Sequence, residues 1–531
     1  MKLDGAGWQS LEATLHENQS NKTITDTIIR HLRELNADSL LIEEDYIDRD
    51  FSEAYSAYYA KTFRRHSKLC RRILVFASDV TFLNPLNDVQ SAISQLEAQA
   101  FLGQIILRPV MGAPINQVIL RTPPVSPPYE AHLLVKGEYR AHVMGAELRV
   151  DGVPMTQQDS RVGACAQATI WVAARHFHTR HRGPWLSTVS ITQSAILNSE
   201  HNINQVLPAG SEFLTINNMV SALRAAGQEP LVYGATGLDS ATNLPTWGGT
   251  LRPEDIINRY VDSGIPVIAG LKYANQAIGH AIIVTGQIFS DTPVGNLPNN
   301  PTRAVYCAAY YANDDQIGPN IKVATTSSSK VGEAPYNIAD NIIYLMIPLP
   351  NKVFLPAEVS EAISWDILEQ YANLWPNLKQ VQSADLGQSA AVGDSFVDEF
   401  RNKRVIARTY LTYGWKSKHR SIRNNLPNKV RNIIASLDLP RFVYVTEFST
   451  LDLTSSKTKY ERRILAHSVV DATAKHNGGN SVLLFYAPGF CLTHSHDVSG
   501  NFTQNAVVVE NSEPYYPKIR GENDFSHFCT S

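Results

Sequence analysis

Three consecutive runs rich in β-branched and aromatic residues, IPVIAGLK (265–272), HAIIVTGQIF (280–289) and RAVYCAAYYAN (303–313), follow a stretch from about residue 160 whose apolar spacing is helical. A helical half followed by a strand half is the pattern of an α+β domain, with helices packed on an antiparallel sheet. This central unit is expected over 131–348 and opens with short strands around a Gly-containing turn in HLLVKGEYRAHVMGAELRVDGVPM.

The flanks read differently. Residues 22–66 look mainly helical, RRILVFASDV (71–80) and GQIILRPV (103–110) look like buried strands, and DVQSAISQLEAQAFLG (88–103) looks like a helix. An α/β region is therefore expected over 1–125. RTPPVSPPYE (121–130) sustains neither helix nor central strand and reads as a linker or ordered loop. Over 350–531, RVIARTYLTYGW, RFVYVTEFSTLDL, RRILAHSVVDAT and SVLLFYAPGF are strand candidates and KVRNIIASLDL a short helix, predicting a β-rich C-terminal domain.

With 531 residues the chain exceeds one core, and 44% apolar against 18% charged residues excludes a disordered polymer. A formal net charge of −3 supplies no global field for nucleic acid or an anionic membrane. The start, MKLDGAGWQSLEATLHENQ, has no apolar secretory core, and no uninterrupted apolar run of about 18–20 residues occurs, so a cytoplasmic protein with no membrane partner is expected. Five scattered cysteines (Cys70, Cys165, Cys307, Cys491, Cys529) without a CxxC pair form neither a disulfide framework nor a zinc knuckle. One of them is a candidate nucleophile.

Cys165 is that candidate. In QQDSRVGACAQATIWVAARHF a polar, Gly-containing loop precedes it, and Ile170, Ala173, Ala174 and Phe177 recur at helical spacing after it. A thiol at a helix start faces unpaired N–H groups and the positive end of the dipole, which favour the thiolate and help hold an oxyanion. The plain alternative is a small core residue. His280 opens the run HAIIVTGQIF, where rigid backbone suits a base, and Gly279 before it is expected to leave room beside the imidazole. Asn313, Asp314 and Asp315 end the next strand. Asp314 is the preferred carboxylate to orient the imidazole, with Asp315 and Asn313 open, although such residues also commonly start turns.

The order of cysteine at a helix start, Gly-His opening a strand and Asn-Asp ending the next resembles the papain-like cysteine peptidase superfamily, most closely its bacteriocin-leader-processing branch of bacterial enzymes. GHAIIVTG matches that branch's histidine motif. Gln158 stands seven residues before Cys165, where the family spacing is usually six, with Gln157 as its neighbour. Asp315 replaces the proline of an Asn-Asp-Pro sequence, and Ala166 replaces the glycine after the nucleophile. The resemblance covers roughly residues 150–348. It implies a two-lobed α+β fold and a catalytic set of Cys165, His280, Asp314 and Gln158, with Gln158 as oxyanion donor. It also implies acyl transfer from an amide or ester of a protein or peptide substrate without a cofactor or metal. A catalytically silent relative that binds a partner or nucleic acid is the alternative.

Three further features stand apart. FCLTHSHDVSG (490–500) carries Cys491, His494, His496 and Asp497, with two histidines on one strand face; a metal site there is weighed against a polar loop. Residues 401–431 hold ten Lys or Arg and no acid, with Tyr410, Tyr413 and Trp415 interleaved. That segment suggests nucleic acid or an acidic partner, against a solvated basic face. The stripe Tyr55, Tyr58, Tyr59, Phe63 is expected to be core.

Overall fold

The computed structural model describes residues 1–81, 88–159, 165–196, 214–249, 251–274, 279–295, 297–454, 463–474, 481–496 and 502–515. The N-terminal layer begins with helices α1 (Gly5–His16) and α2 (Lys22–Glu34), capped by the side chains of Asp4 and Asn21. Strand β1 (Ser39–Tyr46), helix α3 (Arg49–Ala57), β2 (Cys70–Phe76), helix α4 (Val89–Glu97), β3 (Phe101–Leu107) and β4 (Ile115–Leu120) follow. The strands pair in sequence order, all antiparallel. This corrects two expectations: residues 22–66 contain a strand, SLLIEEDY, and the N-terminal region is α+β rather than α/β. Only seven residues separate β3 from β4, far too few for the crossover a parallel pair needs.

The Pro-rich segment is an ordered loop. Val125 and Tyr129 pack against Ile288, Ala309 and Tyr311, and the Tyr311 hydroxyl donates to the Pro123 carbonyl at 2.8 Å. Strand β5 (Glu130–His132) then joins the central sheet. Strands β6 (Gly137–Val143) and β7 (Ala146–Gly152) form a hairpin whose two turn residues, Met144 and Gly145, both have positive φ, the geometry that matches strand twist. Its apolar side (Ala141, Val143, Leu148, Val150) packs on Leu74, Phe76 and Ile119, so the hairpin belongs to the N-terminal layer although it lies beyond residue 131.

The central unit continues with helices α5 (Cys165–His181), α6 (Thr188–Ile196) and α7 (Ile216–Ala225), β8 (Gln228–Gly234), the minimal pair β9 (Gly237–Leu238) and β10 (Pro245–Thr246), and α8 (Pro253–Asp262). Strands β11 (Val267–Leu271), β12 (His280–Phe289), β13 (Cys307–Asp314), β14 (Gly318–Ala324), the short α9 (Ile338–Asn341) and β15 (Ile342–Pro350) complete it. The sheet order is β14-β13-β12-β11-β15-β8, antiparallel throughout, with β5 also pairing with β12. Every residue of β12 is buried, the polar His280, Thr285 and Gln287 along with its apolar residues. Residues 303–306, expected as strand, form a 3₁₀ turn instead.

The C-terminal domain holds a six-stranded antiparallel meander, β16 (Val405–Tyr413), β17 (Phe442–Thr450), β18 (Ala466–Asp471), β19 (Val482–Ala487), β20 (Phe490–His496) and β21 (Phe502–Val508). Helices are more prominent than expected. Helix α10 (Ala357–Val381) spans 25 residues with Pro376 inside, and α11 (Ser383–Leu386), α12 (Ser389–Arg401), α13 (Gly414–Ile422), α14 (Asn428–Ser436) and α15 (Leu451–Thr454) accompany it. One contiguous apolar core joins this domain to the central unit. Across the junction, Arg259 donates to both Glu361 oxygens at 3.0 and 2.6 Å, and Arg408 to both Asp262 oxygens at 3.2 and 3.3 Å. Among the described residues no helix is long and apolar enough to cross a membrane.

Candidate active site

Cys165 is the first residue of α5 and is half-buried, as its loop-to-helix sequence predicts. Ile170, Ala173, Ala174 and Phe177 are all buried, and the helix packs on β12. Asp50 of α3 holds α5 from the N-terminal side: it accepts from Trp171 Nε1 at 3.0 Å and pairs with Arg175. His176 meets the Gly264 carbonyl at 3.1 Å. Helix α5, which Cys165 opens, is thus fixed by both its own domain and the N-terminal layer.

His280 opens β12 opposite Leu271 of β11 and is 7% exposed. Its Nε2 lies 2.8 Å from Asp314 Oδ1. Its Nδ1 has no hydrogen-bond partner among the described residues, and the Cys165 thiol lies near enough to the ring to favour its charged form. Burial opposes a charge on His280. The hydrogen bond to Asp314, the thiol and the two neighbouring carboxylates outweigh it and raise its pKa to about 10. Gly279 does not make room for the ring: a side chain there would meet only the Leu271 carbonyl, at 3.2 Å.

Asp314 is the last residue of β13 and serves two ends. Oδ1 also accepts from the Gln316 N–H at 2.8 Å, forming the turn that its residue type suggested. Oδ2 accepts from the Tyr336 hydroxyl at 2.6 Å. Burial would lift this carboxyl, but His280, Tyr336 and Gln316 hold it below the ordinary range. Asn313 is spent elsewhere, donating to the Pro154 carbonyl and accepting from the Asn320 N–H. Asp315 stands farther from the ring, with Oδ1 3.7 Å from Nε2.

Gln157 is a structural clamp. Its amide accepts from Ile115 N at 3.1 Å and donates to the Gly112 carbonyl at 3.2 Å, tying the segment before the nucleophile to β4. Gln158 is half-buried and lines a cavity of about 270 Å³ with Asn21, Tyr59, Met111, Asp315 and Gln316. Residues 160–164, the loop before Cys165, lie outside the described residues.

Three tyrosines complete the surroundings and carried no sequence signal. Tyr336 lies in a loop 22 residues beyond Asp314. Tyr273 packs edge-on to Tyr336 with centroids 6.0 Å apart. Tyr344 sits across Gly270; burial first, then the nearby Cys165, raise its pKa to about 12.

The other candidates disperse. Tyr410 and Tyr413 are buried, so among the interleaved aromatics only Trp415, 56% exposed, faces solvent. Arg408 is sunk in the Asp262 pair, and Arg404 bonds Glu399 and Asp452, so 401–431 is not one basic surface. His494 is buried, and Asp497, like Cys529, falls outside the described residues. In the aromatic stripe Tyr59 is core, but Phe63 is fully exposed. No family model matches the chain, and no curated protein is significantly similar to it.

Proposed function

We propose that the chain is a cysteine peptidase, or a related thiol acyl-transfer enzyme, whose central unit has the papain-like arrangement and acts on an amide or ester of a protein or peptide. One observation carries this reading: Asp314 holds His280 Nε2 at 2.8 Å, while the Cys165 thiol at the start of α5 lies close enough to the same ring to favour its charged form. Three segments distant in sequence supply nucleophile, base and orienting acid in the roles such chemistry needs.

In the proposed reaction the imidazolium of His280 pairs with the Cys165 thiolate. Sulfur attacks the carbonyl carbon, and the carbonyl electron pair moves to oxygen. Backbone N–H groups at the start of α5, with Gln158, are the proposed donors to that oxyanion. Collapse breaks the carbonyl-to-leaving-group bond, and the leaving group takes the proton from Nδ1. Neutral His280 then removes a proton from water, or from an amine, which attacks the thioester and regenerates the thiolate.

The test is site-resolved alkylation. Iodoacetamide, followed by mass spectrometry, should modify Cys165 first, and His280→Ala should slow that modification sharply. Burial raises the pKa of Cys70 and Cys307 to about 12, so both should lag. Equal labelling of Cys70 or Cys491 in the native protein would defeat the proposal.

A further inference from the structure

Asp315 is a buried acid beside the base that the proposed reaction leaves unused. It is 5% exposed, and neither carboxylate oxygen has a hydrogen-bond partner. Buried carboxylates are almost always satisfied, because removing one from water without a partner is costly. Asp314 cannot share its partners, since Tyr336, Gln316 and His280 occupy both of its oxygens. Two carboxylates therefore converge on one imidazole, and with both ionised even a fully charged His280 leaves surplus negative charge.

A cation settles that imbalance, and the geometry suits one. His280 Nε2 and one oxygen from each aspartate lie within 4.8 Å of one another, with two separations of 2.8 and 3.7 Å. Ligand bonds of about 2.0–2.2 Å to zinc place tetrahedral donors at about this spacing. One imidazole and two carboxylates are a zinc-type set; calcium and magnesium want six or more oxygens. A cavity lined by Gln158, Asp315 and Gln316 adjoins the Asp315 side of the cluster.

We propose that His280 Nε2, Asp314 and Asp315 form a binding site for a zinc-class divalent cation, and that its occupancy silences Cys165. Binding displaces the Nε2 proton to solvent and leaves the ring neutral. Its Nδ1 becomes a poorer base, and the thiolate loses its cationic neighbour. The silencing half rests on the thiol chemistry proposed above; the binding half does not.

Zinc chloride titrated calorimetrically into the full chain carrying Cys165→Ala, so that the thiol contributes nothing, should bind at one ion per chain. Adding Asp315→Asn should weaken that binding at least tenfold, and Asp315→Ser gives the same reading through a second neutral side chain. Each variant's thermal melt serves as the folding control. Undiminished binding in both variants, or no binding to the parent, overturns the site. With Cys165 restored, zinc should slow iodoacetamide labelling at least tenfold, reversibly with EDTA, and Asp315→Asn should lose that sensitivity. Equal zinc sensitivity in both proteins would place the ion on the thiol and imidazole and overturn the role of Asp315. Slow labelling of Cys165 even in EDTA would defeat the peptidase reading while leaving the calorimetric result standing.

Discussion

The Tyr336 hydroxyl donates to Asp314 Oδ2 at 2.6 Å, on the carboxylate oxygen opposite the one that holds His280. The acid is thereby gripped from both sides, and its orientation toward the imidazole does not depend on the turn alone. Tyr336→Phe removes a hydrogen bond to a buried charge, a loss of about 1.5–3 kcal/mol. Asp314 then protonates more easily. The acid limb of the Cys165 labelling rate should move to higher pH by about one unit, corresponding to about 1.4 kcal/mol. An unmoved limb with an unchanged melting temperature would show that Tyr336 does not act on Asp314.

Stability should carry the signature of the two shifted groups at the base. His280 has a pKa of about 10 in the fold against an ordinary 6.5, so its contribution is complete below 6.5 and is lost as pH rises through about 10. Asp315, raised from 3.8 to about 7, likewise costs stability as pH rises between those values. Asp314 is depressed, so its contribution is present above 3.8 and is lost only as pH falls through its folded value. Buried His31, His132, His176 and His181, whose pKa values burial lowers, add stability as pH rises toward 6.5, so the signature is a difference between proteins. The urea midpoint of the wild type should fall relative to that of Asp315→Asn from pH 5 to pH 7, and relative to that of His280→Gln from pH 7 to pH 9. Parallel pH profiles for wild type and variant would contradict the corresponding assignment.

Gly270 admits the Tyr344 ring. A β-carbon there would stand 2.0 Å from Tyr344 Cε1. Gly270→Ala should cost about 1–3 kcal/mol by overpacking and slow Cys165 labelling, since the displaced ring borders the thiol. Gly270→Ala with Tyr344→Leu should recover most of the melting temperature. No recovery would locate the strain elsewhere.

Glu361 neutralises Arg259 across the junction between the central unit and the C-terminal domain, with both partners buried. Glu361→Gln leaves a buried guanidinium uncompensated and should cost about 3–5 kcal/mol. Because one apolar core spans the junction, chemical denaturation should show a single transition at lower midpoint rather than two. Two resolved transitions would mean that the domains unfold independently.

The strands and the chemistry-bearing ends were the legible part. HAIIVTGQIF and FVYVTEFST are fully buried strands, and runs this rich in apolar and β-branched residues have few other places to go. Cys165 could be placed because a polar loop met a helical period there. Helix α10 was not among the expected elements: Glu361, Ser364, Trp365, Leu368, Tyr371, Ala372 and Trp375 are buried at helical spacing, but the polar members and Pro376 obscured the stripe. Tyr336 and the unpaired state of Asp315 were not readable at all. Both depend on which loop folds over the end of β13, a tertiary fact that no local periodicity encodes. Within the basic run, β16 turns Arg408 and Tyr410 inward, where ion pairing and packing claim them, a burial that the charge pattern does not encode.

The Asp50 grip on Trp171 and Arg175 means that a fragment excised at residues 131 and 348 would retain Cys165, His280, Asp314 and Gln158 yet leave α5 without its outer anchor. The same cut would remove Ile115 and Gly112, the mooring of Gln157, and strand Asp262 without Arg408. Any effort to trim this protein to a minimal unit around the candidate site therefore has to carry both flanks along, because the scaffold that positions Cys165 and His280 is distributed over nearly the whole polypeptide.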